Sequence, residues 1–147
     1  MGDSGAITNG ILNITIGTPT ANQLEVFAFS EGVTINPPSA RGAGLELTLL
    51  SNRRLVKYGD ATASSAEEAA HIYVDRNVTL TATGGELTFT DGGSITDLNL
   101  SLVQGWNAVL MQAQGIVTEN GYAPIASLSR ADINNLSSNL RWVIDRN

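Results

Sequence analysis

His71 is the only histidine in the 147-residue chain, so acid–base chemistry near neutral pH would have to run through one imidazole. Multi-histidine metal centres are excluded by that count. The lack of cysteine removes thiolate ligands, thiol nucleophiles and disulfides. A hydrolase centred on His71 would need an acid to orient the ring and a hydroxyl to activate, with Asp60, Asp75 or Ser64 converging on it. His71 instead closes a helix-like pattern, where the helix dipole favours an imidazolium in a structural role, so no catalytic residue is expected. Gly2-Asp3-Ser4-Gly5 spells the segment that surrounds the nucleophile of trypsin-like proteases, but that chemistry needs a histidine upstream and none precedes it.

The acidic residues give no stronger lead. Glu67 and Glu68 are adjacent and point in different directions on a helix, unlike the facing pair of a glycosidase. Asp91, Asp97 and Asn99 could offer oxygen to calcium, yet their spacing misses the alternating acidic loop that binds it. Gly42-Ala43-Gly44 lacks the third glycine of a dinucleotide loop and leads into a strand. No metal site and no cofactor is therefore expected. Trp106 and Trp142 lie in phase with apolar neighbours and are expected in the core. Tyr58, Tyr73 and Tyr122 lie by turns or a helix end and are expected at the surface. Of these, Tyr58 and Tyr122 are the candidate ligand-binding residues for a glycan or small molecule.

Composition narrows the partners. Charged residues make up 15% of the chain and the net charge is −6, leaving uncharged Thr, Ser, Asn and Gly to cover the surface. Arg53-Arg54 is the only adjacent basic pair, too small for the cluster that a nucleic acid needs, so no nucleic-acid partner is expected. No apolar run nears the roughly 18 residues of a membrane span, and MGDSGAITNG lacks the charged start and apolar middle of a signal peptide. Asn13, Asn77, Asn99 and Asn135 each begin an N-x-[ST] pattern, read here as the wet faces of strands.

The elements that would position these residues follow from alternation. Leu98, Leu100 and Leu102 alternate with polar residues, and Trp106 to Ala113 is apolar on both faces. This stretch predicts a central hairpin joined at Gln104-Gly105. Further strands are expected over 12–16, 23–29 (central), 45–49, 53–58, 78–82, 87–89 and 140–144, with 78–82 and 87–89 forming a hairpin across Gly84-Gly85. Residues 31–44, which hold Pro37-Pro38, read as a long loop or irregular edge. Ser64/Glu67 and Ser65/Glu68 have capping-box spacing, predicting a helix near 65–72; Ser129 and Asp132 predict a second, ending near Ser138. Asn120-Gly121 is a strong turn signal, and strand is expected to continue through 115–119 up to it. The expected architecture is mainly β: an antiparallel β-sandwich, Ig-like or transthyretin-like, of eight or nine strands with one or two short helices. Residues 1–10 are expected as a flexible segment and 11–147 as a single domain.

The stretch Leu100-Ser-Leu-Val-Gln-Gly-Trp-Asn107, with the opening ILNITIGTP and a VFAF-type strand, resembles small exported bacterial β-sandwich proteins, many of them lipoproteins. The resemblance implies an extracytoplasmic location, periplasmic or at the cell surface, and a lipid anchor on a cysteine upstream of residue 1. It transfers no functional residue. With it, the expectation is a non-catalytic module that contacts another protein or an envelope component; a glycan- or small-molecule-binding module is the alternative, and a His71 hydrolase the third reading.

Overall fold

The computed structural model describes residues 5–26, 32–48, 54–58, 65–82, 86–88, 94–118, 121–131 and 141–144. Strand dominates. In chain order the strands are β1 (Ala6–Thr8), β2 (Ile11–Asn13), β3 (Glu25–Val26), β4 (Val33–Asn36), β5 (Arg41–Gly44), β6 (Leu47–Thr48), β7 (Arg54–Tyr58), β8 (Ser65–Val74), β9 (Val78–Ala82), β10 (Glu86–Thr88), β11 (Ser94–Thr96), β12 (Asn99–Leu102), β13 (Gly105–Thr118), β14 (Gly121–Ala131) and β15 (Arg141–Ile144). A single 3-10 turn, Ala21–Gln23, is the only helical element among the described residues.

Two sheets carry the core. The larger runs β10-β11-β14-β13-β8-β5-β3, with β7 also pairing β8 and β6 and β15 flanking β7. All of its pairings are antiparallel except β11 with β14, where Ser94 and Ile95 run parallel to Ile125 and Ala126. The smaller sheet is β12-β9-β4. Its alternation is complete: Val78, Leu80 and Ala82 of β9 and Leu100 and Leu102 of β12 are buried, and Val33 and Ile35 of β4 pack against them. The cross-strand rows on the other side are Thr34–Thr81–Asn99 and Asn36–Thr79–Ser101, uncharged throughout.

The larger sheet answers with Val74, Ile95, Val109 and Ala126 in the same buried cluster, and Ile72, Met111, Ala113 and Leu128 pack against it. Leu80 and Leu102 are almost fully enclosed, and each such side chain contributes about 1.5–3 kcal/mol relative to exposure. On the opposite face of the larger sheet Ala108 and Ala69 are also buried. The middle of β13 is thus covered on both sides, as its two apolar faces predict, and β8 and β14 flank it.

Several expectations are corrected. No helix forms at 65–72: these residues lie in β8, paired from Ser65↔Gln114 to Val74↔Gly105. Helix propensities differ by only tenths of a kcal/mol per residue, whereas as a strand 65–74 gains β13 on one side and β5 and β7 on the other. Ser129 likewise lies in β14, while 132–138, the rest of the second expected helix, falls outside the described residues.

The Gln104-Gly105 hairpin is also absent. β12 joins the smaller sheet and β13 the larger, so the chain changes sheets where a hairpin is expected. The same happens after β9, whose partners are β4 and β12, while β10 pairs β11. Alternation reports which face of a strand is apolar, not which strand lies beside it.

Glu25–Val26 sits at the end of the sheet path rather than centrally, with Val26 exposed; 27–29 lie outside the described residues. Residues 33–36, expected as loop or edge, form the edge strand β4, ending before Pro37 across a cis Asn36-Pro37 bond. Where a flexible start is expected, Ala6–Thr8 pairs with Ile11–Asn13 in a separate two-stranded sheet. The strand expected over 12–16 stops at Asn13.

The closing strand forms as β15 on β7. β13 runs as expected through Gly115 to Thr118 and returns as β14 at Gly121.

Candidate functional site

Four described segments at or beside strand ends, 17–24, 37–41, 75–77 and 103–105, are joined to one another by hydrogen bonds. Side-chain-to-backbone bonds tie them together. The Asp75 carboxylate accepts the Arg41 backbone N–H at 2.9 Å, and the Asp75 N–H returns a bond to the Arg41 carbonyl at 2.9 Å. Arg76 grips the same carboxylate through Nε at 3.1 Å and its terminal nitrogen at 2.9 Å. Its other nitrogen donates to Ser39 Oγ at 3.2 Å. The Arg41 guanidinium donates to the Leu24 carbonyl. These bonds favour the ionised acid: the Arg76 side-chain hydrogen bond, and after it the Arg41 N–H, hold the Asp75 carboxyl below the ordinary carboxylate value, and Asp75 pushes the Arg76 guanidinium up in turn.

One residue further, Asn77 Oδ1 accepts the Gln104 N–H at 2.9 Å. The corner from β12 to β13 is organised from within by Asn107. Its Oδ1 accepts the Val103 N–H at 3.0 Å, and its Nδ2 donates to the carbonyls of Val103 at 2.8 Å, Gly105 at 3.0 Å and Ile72 at 3.5 Å. A buried amide thus does for this corner what a hairpin partner would have done. Gly105 has φ +107, in the region that side chains with a Cβ rarely adopt. Trp106 next to it turns away from the shared core. Its Nε1 donates to the Gly17 carbonyl at 3.0 Å, and its ring meets Tyr73 edge-on, centroids 5.6 Å apart and planes at 71°. Gly105-Trp106-Asn107 therefore bends the backbone, pins the 14–20 segment and closes the corner.

The result is a rim held in place by its own hydrogen bonds. Val103, Gln104, Asn77, Arg76 and Ser39 are exposed on it, a mixture of apolar, amide, hydroxyl and guanidinium groups.

No family model, curated protein or solved structure matches this chain.

Of the residues singled out from the sequence, Asp75, Asn77 and Trp106 help to hold this rim together, in roles other than those expected of them. His71 lies within β8, half-buried and opposite Ala108, not at a helix end. Of its three conceivable partners, Asp75 is committed to Arg41 and Arg76, and Asp60 and Ser64 fall outside the described residues. Tyr58 sits on β7 opposite Glu68 and Arg141, and Tyr122 on β14 opposite Val117; their side chains are outside the described part. The two positions belong to different strands separated by β8 and β13. Trp106, expected in the core, is half-buried beside Tyr73, and the Trp142 side chain is not described. Asp97, with φ +50, and Asn99 are exposed; Asp91, Asn135 and Asn120 lie outside the described residues.

Among the described residues no three His, Cys, Asp or Glu side chains gather as metal ligands, and no helix is long and apolar enough to cross a membrane.

Sequence reasoning missed Asn107, Arg41 and the Asp75-Arg76-Asn77 turn. A signal was present: Asp-Arg-Asn between two strands is turn chemistry, because short polar side chains bond to nearby backbone.

Proposed function

We propose that this chain is a non-catalytic, extracytoplasmic binding module, a β-sandwich of Ig-like or transthyretin-like kind, whose sheet-end rim contacts another protein or an envelope component. The observation that carries the reading is the rim itself, four segments locked together by polar side chains bonded to backbone groups and, through Arg76, to the Asp75 carboxylate and Ser39 Oγ. Ordering entropy is already spent there, so a partner meets a preformed surface. The low charge of the chain and the uncharged rows Thr34–Thr81–Asn99 and Asn36–Thr79–Ser101 fit a surface read by shape and hydrogen bonding. The location outside the cytoplasm rests on the resemblance of the Gly-Trp-Asn stretch to exported β-sandwich proteins, as does an anchor upstream.

A photo-crosslinking residue at Gln104, with the same residue at Thr34 for comparison, tests the rim against envelope extracts. The Val103 side chain is exposed. An adduct formed from position 104, absent from position 34 and lost in a Val103→Lys background of unchanged melting temperature, is the expected result. Equal adducts from both positions, or none, would overturn it. The Tyr73–Trp106 pair, half-buried with rings edge to face, favours a second reading, a glycan- or small-molecule-binding module. A ligand-induced rise in melting temperature across a glycan panel, abolished in Tyr73→Ala, would support it.

A further inference from the structure

The hairpin at 6–13 holds chemistry that neither the core nor the rim uses. β1 and β2 form a sheet of their own, and Ala6, Ile7, Thr8, Asn9, Gly10 and Asn13 are all exposed. The turn between them is Asn9 at φ +51 and Gly10 at φ +76, the two-residue turn for which Asn-Gly is the preferred pair. A two-stranded hairpin standing alone is marginally stable in water, so this turn opens with little opposition. Gly10 has no side chain to hinder its own nitrogen, and the space where a Cβ would sit is open, with nothing within 4 Å.

We propose that Asn9 is a site of spontaneous deamidation and isoaspartate formation. In the opened turn the Gly10 backbone nitrogen attacks Asn9 Cγ. The new N–Cγ bond closes a five-membered succinimide as the Cγ–Nδ2 bond breaks, and ammonia departs with the proton released from the Gly10 amide. Water then opens the ring at either carbonyl. Cleavage at Cγ leaves an ordinary aspartate; cleavage at the backbone carbon leaves isoaspartate, with the chain routed through the former side chain. No electrons are transferred, and water is the only co-reactant.

The other described asparagines are poorer substrates. The side chains of Ile14, Gln23, Val78, Leu100 and Ala108 crowd the nitrogen after Asn13, Asn22, Asn77, Asn99 and Asn107, Pro37 after Asn36 has no N–H, and the Asn107 amide is also held by Val103 and Gly105. Conversion at Asn9 adds a negative charge and, in the isoaspartate form, one extra backbone carbon. The two-residue turn then no longer fits, and the Thr8↔Ile11 register is lost. The change works in one direction, from a paired N-terminal hairpin to an unpaired segment.

The test incubates the intact folded protein at mildly alkaline pH and follows each asparagine by peptide mass spectrometry, separating isoaspartate from aspartate by retention. Asn120-Gly121 carries the same dipeptide and is scored as its own peptide. The expected result is conversion of Asn9 severalfold faster than Asn77, Asn99 and Asn107, isoaspartate as the main product, and suppression in Asn9→Gln with the circular dichroism of the fold retained. Asn9 remaining an amide in the folded protein, or converting no faster than Asn99, would overturn the proposal. The same peptides followed in urea show whether opening the hairpin limits the rate: faster conversion of Asn9 there is expected, and an unchanged or slower rate would refute a reaction that needs the opened turn.

Discussion

Replacing Asn107 should unfasten the corner that redirects the chain from one sheet to the other. In Asn107→Ala the Val103 N–H and C=O and the Gly105 C=O lose the partners at 3.0, 2.8 and 3.0 Å. A net hydrogen bond is worth about 1 kcal/mol, and more where the abandoned group stays dry. Val103 is 44% exposed, so water recovers part of the loss there, and the expected cost is about 2–3 kcal/mol by the same rule.

Asn107→Asp is the sharper variant. Its first oxygen keeps the bond to the Val103 N–H, but the second faces the three carbonyls that the amide nitrogen had satisfied. A buried, unpaired carboxylate costs about 3–5 kcal/mol. Burial and the facing carbonyls raise the folded-state pKa of this new acid above the unfolded value of about 3.9. The deficit is therefore complete above the folded pKa and shrinks as pH falls towards the unfolded one, where the protonated acid donates to one carbonyl. Urea unfolding followed by tryptophan fluorescence at pH 7 and pH 5 measures both effects. An Asn107→Ala deficit under about 1 kcal/mol, or an Asp variant whose deficit grows on acidification, would refute this account of the corner.

The acid limb of the wild-type stability curve should carry the signature of Asp75. Its carboxyl is held below the ordinary value, chiefly by Arg76, so its contribution is present above the unfolded pKa and lost as pH falls through the lower folded one. Asp75→Asn should then lose less stability than wild type between about pH 4 and pH 2, with a flat difference above, measured by thermal melts. Gly105→Ala must place a Cβ at φ +107 and should cost about 1–3 kcal/mol in urea unfolding. Trp106→Phe keeps a ring against Tyr73 but loses the bond to Gly17. It should cost about 1 kcal/mol and speed proteolysis within 14–20 in limited digestion. Leu80→Ala, in the middle of the smaller sheet, should cost about 2–5 kcal/mol.

The β class and much of the strand content were legible because alternation is a local property. Val78-Thr-Leu-Thr-Ala82 and Asn99-Leu-Ser-Leu102 announce a wet face and a dry face, and the structure buries them as written. The helix expected at 65–72 failed for the opposite reason. Ser-x-x-Glu spacing and paired alanines are weak local preferences, and the β13 edge decides what Ser65–Val74 becomes.

The pairing errors share one physical origin. Val78–Ala82 and Asn99–Leu102 have the pattern that a hairpin strand would have, so nothing in their alternation distinguishes a return along the same sheet from a crossing to the facing one. What distinguishes them at the second crossing is Asn107, a polar residue inside an otherwise apolar run. As a strand residue it breaks the pattern. As the acceptor for Val103 N–H and the donor to Val103 and Gly105 it supplies the bonds that an adjacent strand would have supplied.

This corner and the rim are built from linked bonds. Asp75 and Asn77 bond to the backbone of distant segments, Arg41 at 2.9 Å and Gln104 at 2.9 Å, and Asn107 bonds across its own corner to Val103 at 3.0 Å. Changing sheets at Gly105 is what brings 103–105 beside 75–77. A hairpin at that point would have carried Gln104 out of reach of Asn77, and the rim would not exist. The sheet crossing is thus the structural condition for the proposed contact surface, and Asn107 is a residue on which both depend.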